Sequence, residues 1–222
     1  VLADVGEHNR VSPDGRWLGF FLRDSDGQVA LELHDAESDE RRVISGASGD
    51  AFPFAFDAAG QRLAYLDLGA YGPDGVPWAL VVVALDQGVE AGARYEAQMT
   101  GYEARPLPGY PLGWSQVDPE KDELIFDTFA PATEGGWMGL WGVTLPADGA
   151  SAPLDSLPLR EWVPGAPVYF AEPKLAPDGQ SVAFLGRDLS YKPQDYTPEF
   201  YDLAVNRLEV AALSVADGGV GN

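Results

Sequence analysis

The stretch VSPDGRWLGF at residues 11–20 recurs near the other end of the chain as LAPDGQSVAF at residues 175–184. In both copies an apolar residue comes two positions before a Pro-Asp-Gly turn, and an alternating apolar run follows the turn. Proline presets φ, aspartate accepts hydrogen bonds from nearby backbone, and glycine tolerates positive φ. The repeated stretch therefore predicts a β-hairpin that the architecture uses more than once.

Two weaker copies lie between them, FDAAGQRLAYLD from Phe56 and VDPEKDELIFDT from Val117. Every hairpin is followed by a strand-like run: VALELHDA, WALVVVAL, GLWGVTLP and NRLEVAALSV. After the first three comes a more polar run: ERRVIS, ARYEAQMT and LREWV. Units of four antiparallel strands with a polar outer strand are typical of β-propeller blades. We predict an all-β fold, a single propeller domain over residues 1–222, with four-stranded blades at about 7–46, 52–100, 111–163 and 168–222.

The SPDG and APDG turns, each followed by an apolar strand with an aromatic residue, and the LELHD and RRVI strands of the first copy resemble the TolB-like, WD-like propeller repeat. Similar repeats occur in periplasmic TolB and in the propeller domain of prolyl-oligopeptidase-type enzymes. The resemblance implies a propeller and an extracytoplasmic location, periplasmic or at the cell surface. It implies no particular activity, because unrelated functions are built on this scaffold.

The number of blades stays open at this stage. Families with this repeat usually carry more copies than the four found here, and the fourth copy lacks its outer strand. Residues 1–6 could supply that strand and close a four-bladed ring, or the chain could be part of a larger propeller.

Composition narrows the classes of partner. The chain has 35 acidic and 14 basic residues, a net charge of −21, so it should repel phosphate backbones and anionic lipid headgroups. We therefore expect no nucleic-acid partner and no direct membrane insertion. The chain has no cysteine, which excludes disulfides, thiolate catalysis and cysteine metal sites within it.

The sequence offers little catalytic chemistry. Ser48 and Ser115 both miss the Gly-x-Ser-x-Gly spacing of a nucleophile elbow, and the two histidines, His8 and His34, accompany neither serine. Asp24 and Asp26 have a calcium-loop spacing but lack the flanking acids of a complete loop, so they are only a weak metal candidate. We expect a chain that is not an enzyme and has no cofactor.

Long connections rich in aromatic residues fall mostly at one end of the predicted blades, opposite the Pro-Asp-Gly turns. Aromatic side chains with polar groups are enriched in protein interfaces. The candidate partner-binding residues are Tyr71, Trp78, Tyr102, Tyr110, Trp137, Tyr191, Tyr196, Phe200 and Tyr201.

These features predict a non-catalytic interaction or scaffold subunit that binds a protein partner or a larger assembly through those loops. Two alternatives remain. The chain could be the propeller module of a prolyl-oligopeptidase-like hydrolase whose catalytic residues lie elsewhere, or a propeller that binds a glycan or a small ligand.

Overall fold

The computed structural model describes residues 9–23, 29–44, 54–67, 79–86, 92–96, 107–118, 120–129, 140–163, 168–188 and 207–212. These residues form β1 (Arg10–Val11), β2 (Trp17–Arg23), β3 (Val29–Asp35), β4 (Arg41–Ile44), β5 (Phe54–Phe56), β6 (Arg62–Asp67), β7 (Ala79–Ala84), β8 (Ala93–Glu96), β9 (Leu107–Trp114), β10 (Glu123–Phe129), β11 (Leu140–Thr144), β12 (Ala152–Pro153), β13 (Leu159–Val163), β14 (Val168–Leu175), β15 (Ser181–Asp188) and β16 (Arg207–Ala212). A short 3-10 helix, Leu154–Ser156, follows β12.

The strands form four sheets in chain order, which we call blades 1 to 4. Blade 1 is β1-β2-β3-β4, blade 2 is β5-β6-β7-β8, blade 3 is β9-β10-β11-β13, and the described part of blade 4 is β14-β15-β16. Neighbouring strands within a blade are antiparallel. The strand-rich, antiparallel architecture predicted from the repeat is confirmed.

Each repeated turn joins the first two strands of a blade, as predicted. A backbone N–H three residues along donates to the carbonyl that opens the turn, in the pairs Gly15 to Ser12, Gly60 to Asp57, Lys121 to Asp118 and Gly179 to Ala176. The three glycines adopt positive φ, between 64° and 78°, a conformation that glycine reaches without steric cost. The third copy has lysine in place of glycine. Its first hydrogen bond between the two strands lies farther from the turn, where the Ser115 N–H donates to the Glu123 carbonyl.

The blades pack face to face through apolar clusters. In β7, Val81 and Val83 pack towards blade 1 whereas Leu80 and Val82 pack towards blade 3, so both faces of the strand are buried. A third cluster, which includes Ile125 of blade 3 and Val182 of blade 4, continues the series. Continuous apolar runs such as ALVVVA follow from this arrangement, because a strand between two blades has no solvent face.

The structure corrects one boundary. β9 begins at Leu107, so Tyr110, predicted in a loop, lies within a strand. The prolines at 108 and 111 are compatible with a strand because β9 is an edge strand, where proline is tolerated.

The stretch between β11 and β13 contains a further short strand, β12. This strand pairs in parallel with β8 of blade 2, with Ala152 opposite Tyr95. Blade 2 therefore has a fifth strand donated by the chain of blade 3.

Residues 1–8 and 213–222 lie outside the described residues, so the predicted closing strand does too. Within the described ranges, no strand of blade 1 pairs with a strand of blade 4. No helix in this part of the chain is long and apolar enough to cross a membrane.

Candidate functional site

The hairpin order gives the blades two different ends. The end with the repeated turns, which we call the turn end, contains the connections at residues 12–16, 57–61, 115–122 and 176–180. At the opposite end, which we call the loop end, the second strand of each blade leads to the third through residues 24–28, 68–78, 130–139 and 189–206. Strand pairing shows at which end each connection lies. In blade 2, for example, Asp67 at the end of β6 lies opposite Ala79 at the start of β7, so the connection between them is at the loop end.

Neighbouring turns contact one another at the turn end. A Cβ on Gly60 would lie 2.6 Å from the carboxylate of Asp14 in blade 1. In blades 3 and 4 the Gln116 N–H donates to the Gly179 carbonyl, and a Cβ on Gly179 would lie 2.7 Å from the Trp114 carbonyl. Glycine is needed here for close approach as well as for positive φ. The repeated turns therefore form a compact, polar surface, and the longer connection at this end, residues 145–158, joins β11 to β13.

At the loop end of blade 2 the described residues include an ion pair between a buried carboxylate and a half-buried arginine. Asp67 is 6% exposed and accepts a hydrogen bond from Arg94 Nη1 at 2.8 Å. Burial, with a smaller contribution from the Asp67 charge, raises the pKa of the nearby Tyr65 to about 12. Blade 3 buries a second carboxylate at this end, that of Asp127, which is 4% exposed. These groups give the base of the loop end a fixed polar framework.

Most of the predicted partner-binding residues lie outside the described residues: Tyr71, Trp78, Tyr102, Trp137, Tyr191, Tyr196, Phe200 and Tyr201. Asp24 and Asp26 of the weak metal candidate lie outside them too. Tyr110 is described only as a backbone position in β9. The prediction that these residues bind a partner therefore stays a prediction.

Sequence reasoning missed the polar contacts at the start of the second strands of blades 2 and 3, β6 and β10. The first residue of the second strand faces the following blade, and it is Trp17 in blade 1, Arg62 in blade 2 and Glu123 in blade 3. The signal was the replacement of an apolar residue by a charged one at the same repeat position.

Arg62 joins blades 2 and 3. Its guanidinium donates to both carboxylate oxygens of Asp122, with Nη2 at 2.8 Å from Oδ1, and to Asp57 Oδ2 at 3.0 Å. The guanidinium carbon also lies 4.9 Å from the centre of the Trp114 ring. Hydrogen bonding to Asp122 and then to Asp57 raises the pKa of Arg62. The contact fixes the two blades against each other.

Glu123 is buried on the face of blade 3 that is turned to blade 4. It is 2% exposed, with Arg160 Nε at 3.6 Å from Oε1. Gly142 leaves room for it, because a Cβ there would lie 2.6 Å from both Glu123 Oε1 and the Trp162 indole nitrogen. Burial raises the pKa of the Glu123 carboxyl group above its usual value, against the opposing charge of Arg160.

The described residues contain no group of three or more metal-ligating side chains. Ser115 is buried, and its hydroxyl accepts the Val117 N–H at 3.3 Å, a local turn contact. His34 lies on β3 with Nε2 at 2.7 Å from Asp39 Oδ1. Each of these polar groups has a structural partner nearby.

Four successive antiparallel sheets, packed face to face and each opened by the same hairpin, are blades of a β-propeller. No protein-family model matches the chain, and no curated protein matches it by sequence. Among solved structures it is similar to TolB from Acinetobacter baumannii, with 14% identity over 96% of this chain and 42% of that chain and a TM-score of 0.57.

A TolB described from Agrobacterium tumefaciens is 19% identical over 98% of this chain and 64% of that chain, with a TM-score of 0.55. The β-propeller domain of the Trilobed protease from Pyrococcus furiosus is 11% identical over 96% of this chain and 60% of that one, with a TM-score of 0.51. The fold is therefore TolB-like. The chain spans less than two thirds of the length of these three structures.

Proposed function

We propose that this chain is a non-catalytic, TolB-like propeller module that binds a protein partner at its loop end. The observation that carries the proposal is the difference between the two ends. Adjacent turns contact each other at the turn end through Gly60 and Asp14 and through Gly179 and Gln116. The long connections with tyrosine and tryptophan all leave from the other end.

The physical reason is that such a surface loses little conformational entropy when it binds. Tyrosine and tryptophan supply large contact areas at a small cost in side-chain entropy, and proline limits the freedom that a loop loses on binding. Residues 189–206, the connection between β15 and β16, contain three tyrosines and two prolines. Such a connection is longer than a simple link between strands requires.

The test replaces Tyr191, Tyr196 and Tyr201 together by alanine. In a pull-down from extract of the source cells, we expect one co-purifying protein to be lost from the alanine variant, with unchanged thermal unfolding. A matched variant with phenylalanine at the same three positions keeps the rings and should retain that protein. A charge change at the turn end, Asp178→Lys, serves as the second control and should also retain it.

Retention of every partner by the triple alanine variant would contradict the proposed surface. Turnover of a chromogenic prolyl peptide by the purified chain would contradict the non-catalytic part. If a partner protein supplies the peptidase activity instead, the chain is a hydrolase module, the alternative that the sequence left open.

The extracytoplasmic location and the number of blades belong to the same proposal. Fractionation of the source cells tests the location. Intact mass of the native protein separates a four-bladed ring from part of a larger propeller. A glycan or small ligand at the loop end would appear as saturable binding that the triple alanine variant loses without any protein partner.

A further inference from the structure

Among the described residues, no strand neighbours the outer edge of β4 in blade 1. The Asp35 N–H donates to the Glu40 carbonyl, in register with the ladder between β3 and β4. Because residues of an antiparallel strand alternate in the direction of their backbone groups, Arg42 points its N–H and C=O groups at β3. Arg41 and Val43 point theirs outward, where no described strand pairs with them.

Blade 2 uses the same edge to hold an added strand. The registers of the two blades make Arg94 the counterpart of Val43. The Arg94 N–H, which also points outward, donates to Ser151 Oγ at 2.9 Å. Directly beyond it, β12 lies parallel to β8, with Ala152 opposite Tyr95. This repeat therefore accepts a fifth, parallel strand on the outer side of its fourth strand.

Blade 1 receives no such strand from its neighbour within the described residues. The strand that covers blade 2 comes from residues 145–158, between β11 and β13. The corresponding connection of blade 2, residues 85–92, is shorter. In the described part of that connection, the backbone carbonyl of Leu85 accepts a hydrogen bond from the Arg42 side chain of blade 1, with Nη1 at 3.0 Å.

The side chains beside this edge define what could occupy it. Val43 is 57% exposed, and among the described residues only Val11 is a comparably exposed large apolar side chain. Arg41 is exposed beside Val43 on the same face. Glu32 lies opposite Val43 on β3 and would repel a second carboxylate there. An acidic residue therefore fits beside Arg41 and an apolar residue beside Val43.

We propose that the outer edge of β4 binds an extended segment of a partner protein by strand addition, parallel to β4, with an acidic residue beside Arg41 and an apolar residue beside Val43. Main-chain hydrogen bonds hold such a segment and the alternate side chains select it. A second copy of this chain is a poorer occupant, because each copy has a net charge of −21 and two copies repel each other. The outer edge of β4 runs along the side of blade 1, whereas the loop end is defined by the ends of the strands.

The probe is the peptide acetyl-Gly-Thr-Glu-Thr-Val-Thr-Gly-amide, titrated into isotope-labelled protein and followed by amide NMR. We expect saturable shifts at the amides of Arg41 and Val43 at millimolar peptide, with smaller shifts at Arg42 and Ile44. In the parallel pairing, the central threonine donates its N–H to the Arg41 carbonyl and accepts the Val43 N–H. Methylating the backbone nitrogen of that threonine should abolish binding.

The matched control peptide is methylated on the nitrogen of its valine, which points away from β4 and should leave binding intact. Arg41→Glu should weaken binding about fivefold through charge reversal. Val43→Pro removes an outward N–H and leaves the ladder to β3 in place, so it should abolish binding. Exchanging glutamate and valine in the peptide should weaken binding as well.

Equal binding of the two methylated peptides would overturn the proposal, as would the absence of saturable shifts on β4. The variant with alanine at Tyr191, Tyr196 and Tyr201 separates the two surfaces. It should bind the peptide normally, and loss of binding in that variant would place the peptide at the loop end and refute strand addition at β4.

Discussion

Replacing Arg62 by methionine should destabilise the protein by about 3 kcal/mol, because this side chain joins blade 2 to blade 3. The change removes the hydrogen bonds to Asp122 and Asp57 and the contact with the Trp114 ring. Methionine keeps the apolar stem, so the loss reports chiefly on the guanidinium.

The magnitude follows from the exposure of each partner. The Asp57 side chain is 9% exposed, and a hydrogen bond between a buried carboxylate and a charged donor contributes about 1.5–3 kcal/mol. The backbone N–H groups of Gln61 and Arg62 still hold Asp57 Oδ1, which limits the cost of leaving it without a cation. Asp122 is 34% exposed, so that pair adds only about 0.2–1 kcal/mol. The ring contact adds about 0.5–1 kcal/mol.

Urea unfolding followed by tryptophan fluorescence measures the change. Arg16→Met is the matched control: Arg16 also contacts a carboxylate, Asp35, and lies 5.0 Å from the Trp17 ring, but all three residues belong to blade 1. Because the contact between Arg62 and Asp122 is bidentate, a double-mutant cycle with Asp122→Asn should give a coupling in the upper part of the range for that pair, about 0.5–1 kcal/mol. Additivity within about 0.3 kcal/mol, or a change below about 0.5 kcal/mol in the single variant, would refute the inter-blade role of Arg62.

Gly60→Ala should cost about 1 kcal/mol more than Gly15→Ala, measured by urea unfolding, because both glycines have positive φ but only the former packs against Asp14. Equal costs would mean that the contact between turns contributes nothing. The Arg16 hydrogen bond holds the pKa of Asp35 well below its usual value. The stability that Asp35 contributes is therefore present above its unfolded pKa of about 3.9 and is lost as the pH falls below it, so Asp35→Asn should flatten the acid side of the stability profile. Burial raises the pKa of Glu123, so its contribution has the opposite sign. The stability that Glu123 contributes is fully present below its unfolded pKa of about 4.3 and is lost as the pH rises through its folded pKa. Glu123→Gln should remove that decline. Profiles of unfolding midpoint against pH that shift in the same direction for both variants would contradict these assignments.

The hairpins were the part of the fold that local sequence could predict. Pro13, Asp14 and Gly15 each act within their own turn, so their effect does not depend on the rest of the chain. Gly60 preserves the turn without proline, because positive φ is the feature that the backbone needs there. The alternating apolar residues then fix which strands have one buried face and which, like β7, have two.

The missed features all depend on contacts between distant segments. Nothing near Arg62 in the sequence indicates Asp122, which belongs to the next blade. β12 is only two residues long and contains a proline, so it has no strand signal of its own. Its pairing is created by the edge of β8. For the candidate site, composition identified the aromatic connections, but their arrangement depends on packing that no local pattern determines.

β12 also sets limits on how this protein can be divided. The sequence repeat runs from one hairpin to the next, whereas blade 2 takes its outermost strand, β12, from the following repeat, so the unit of sequence and the unit of structure differ. An excision that follows the sequence repeat would remove the strand covering β8 and leave its backbone groups open to other chains. A transplanted blade 2 should therefore keep its edge covered only if the stretch that contains β12 is transplanted with it.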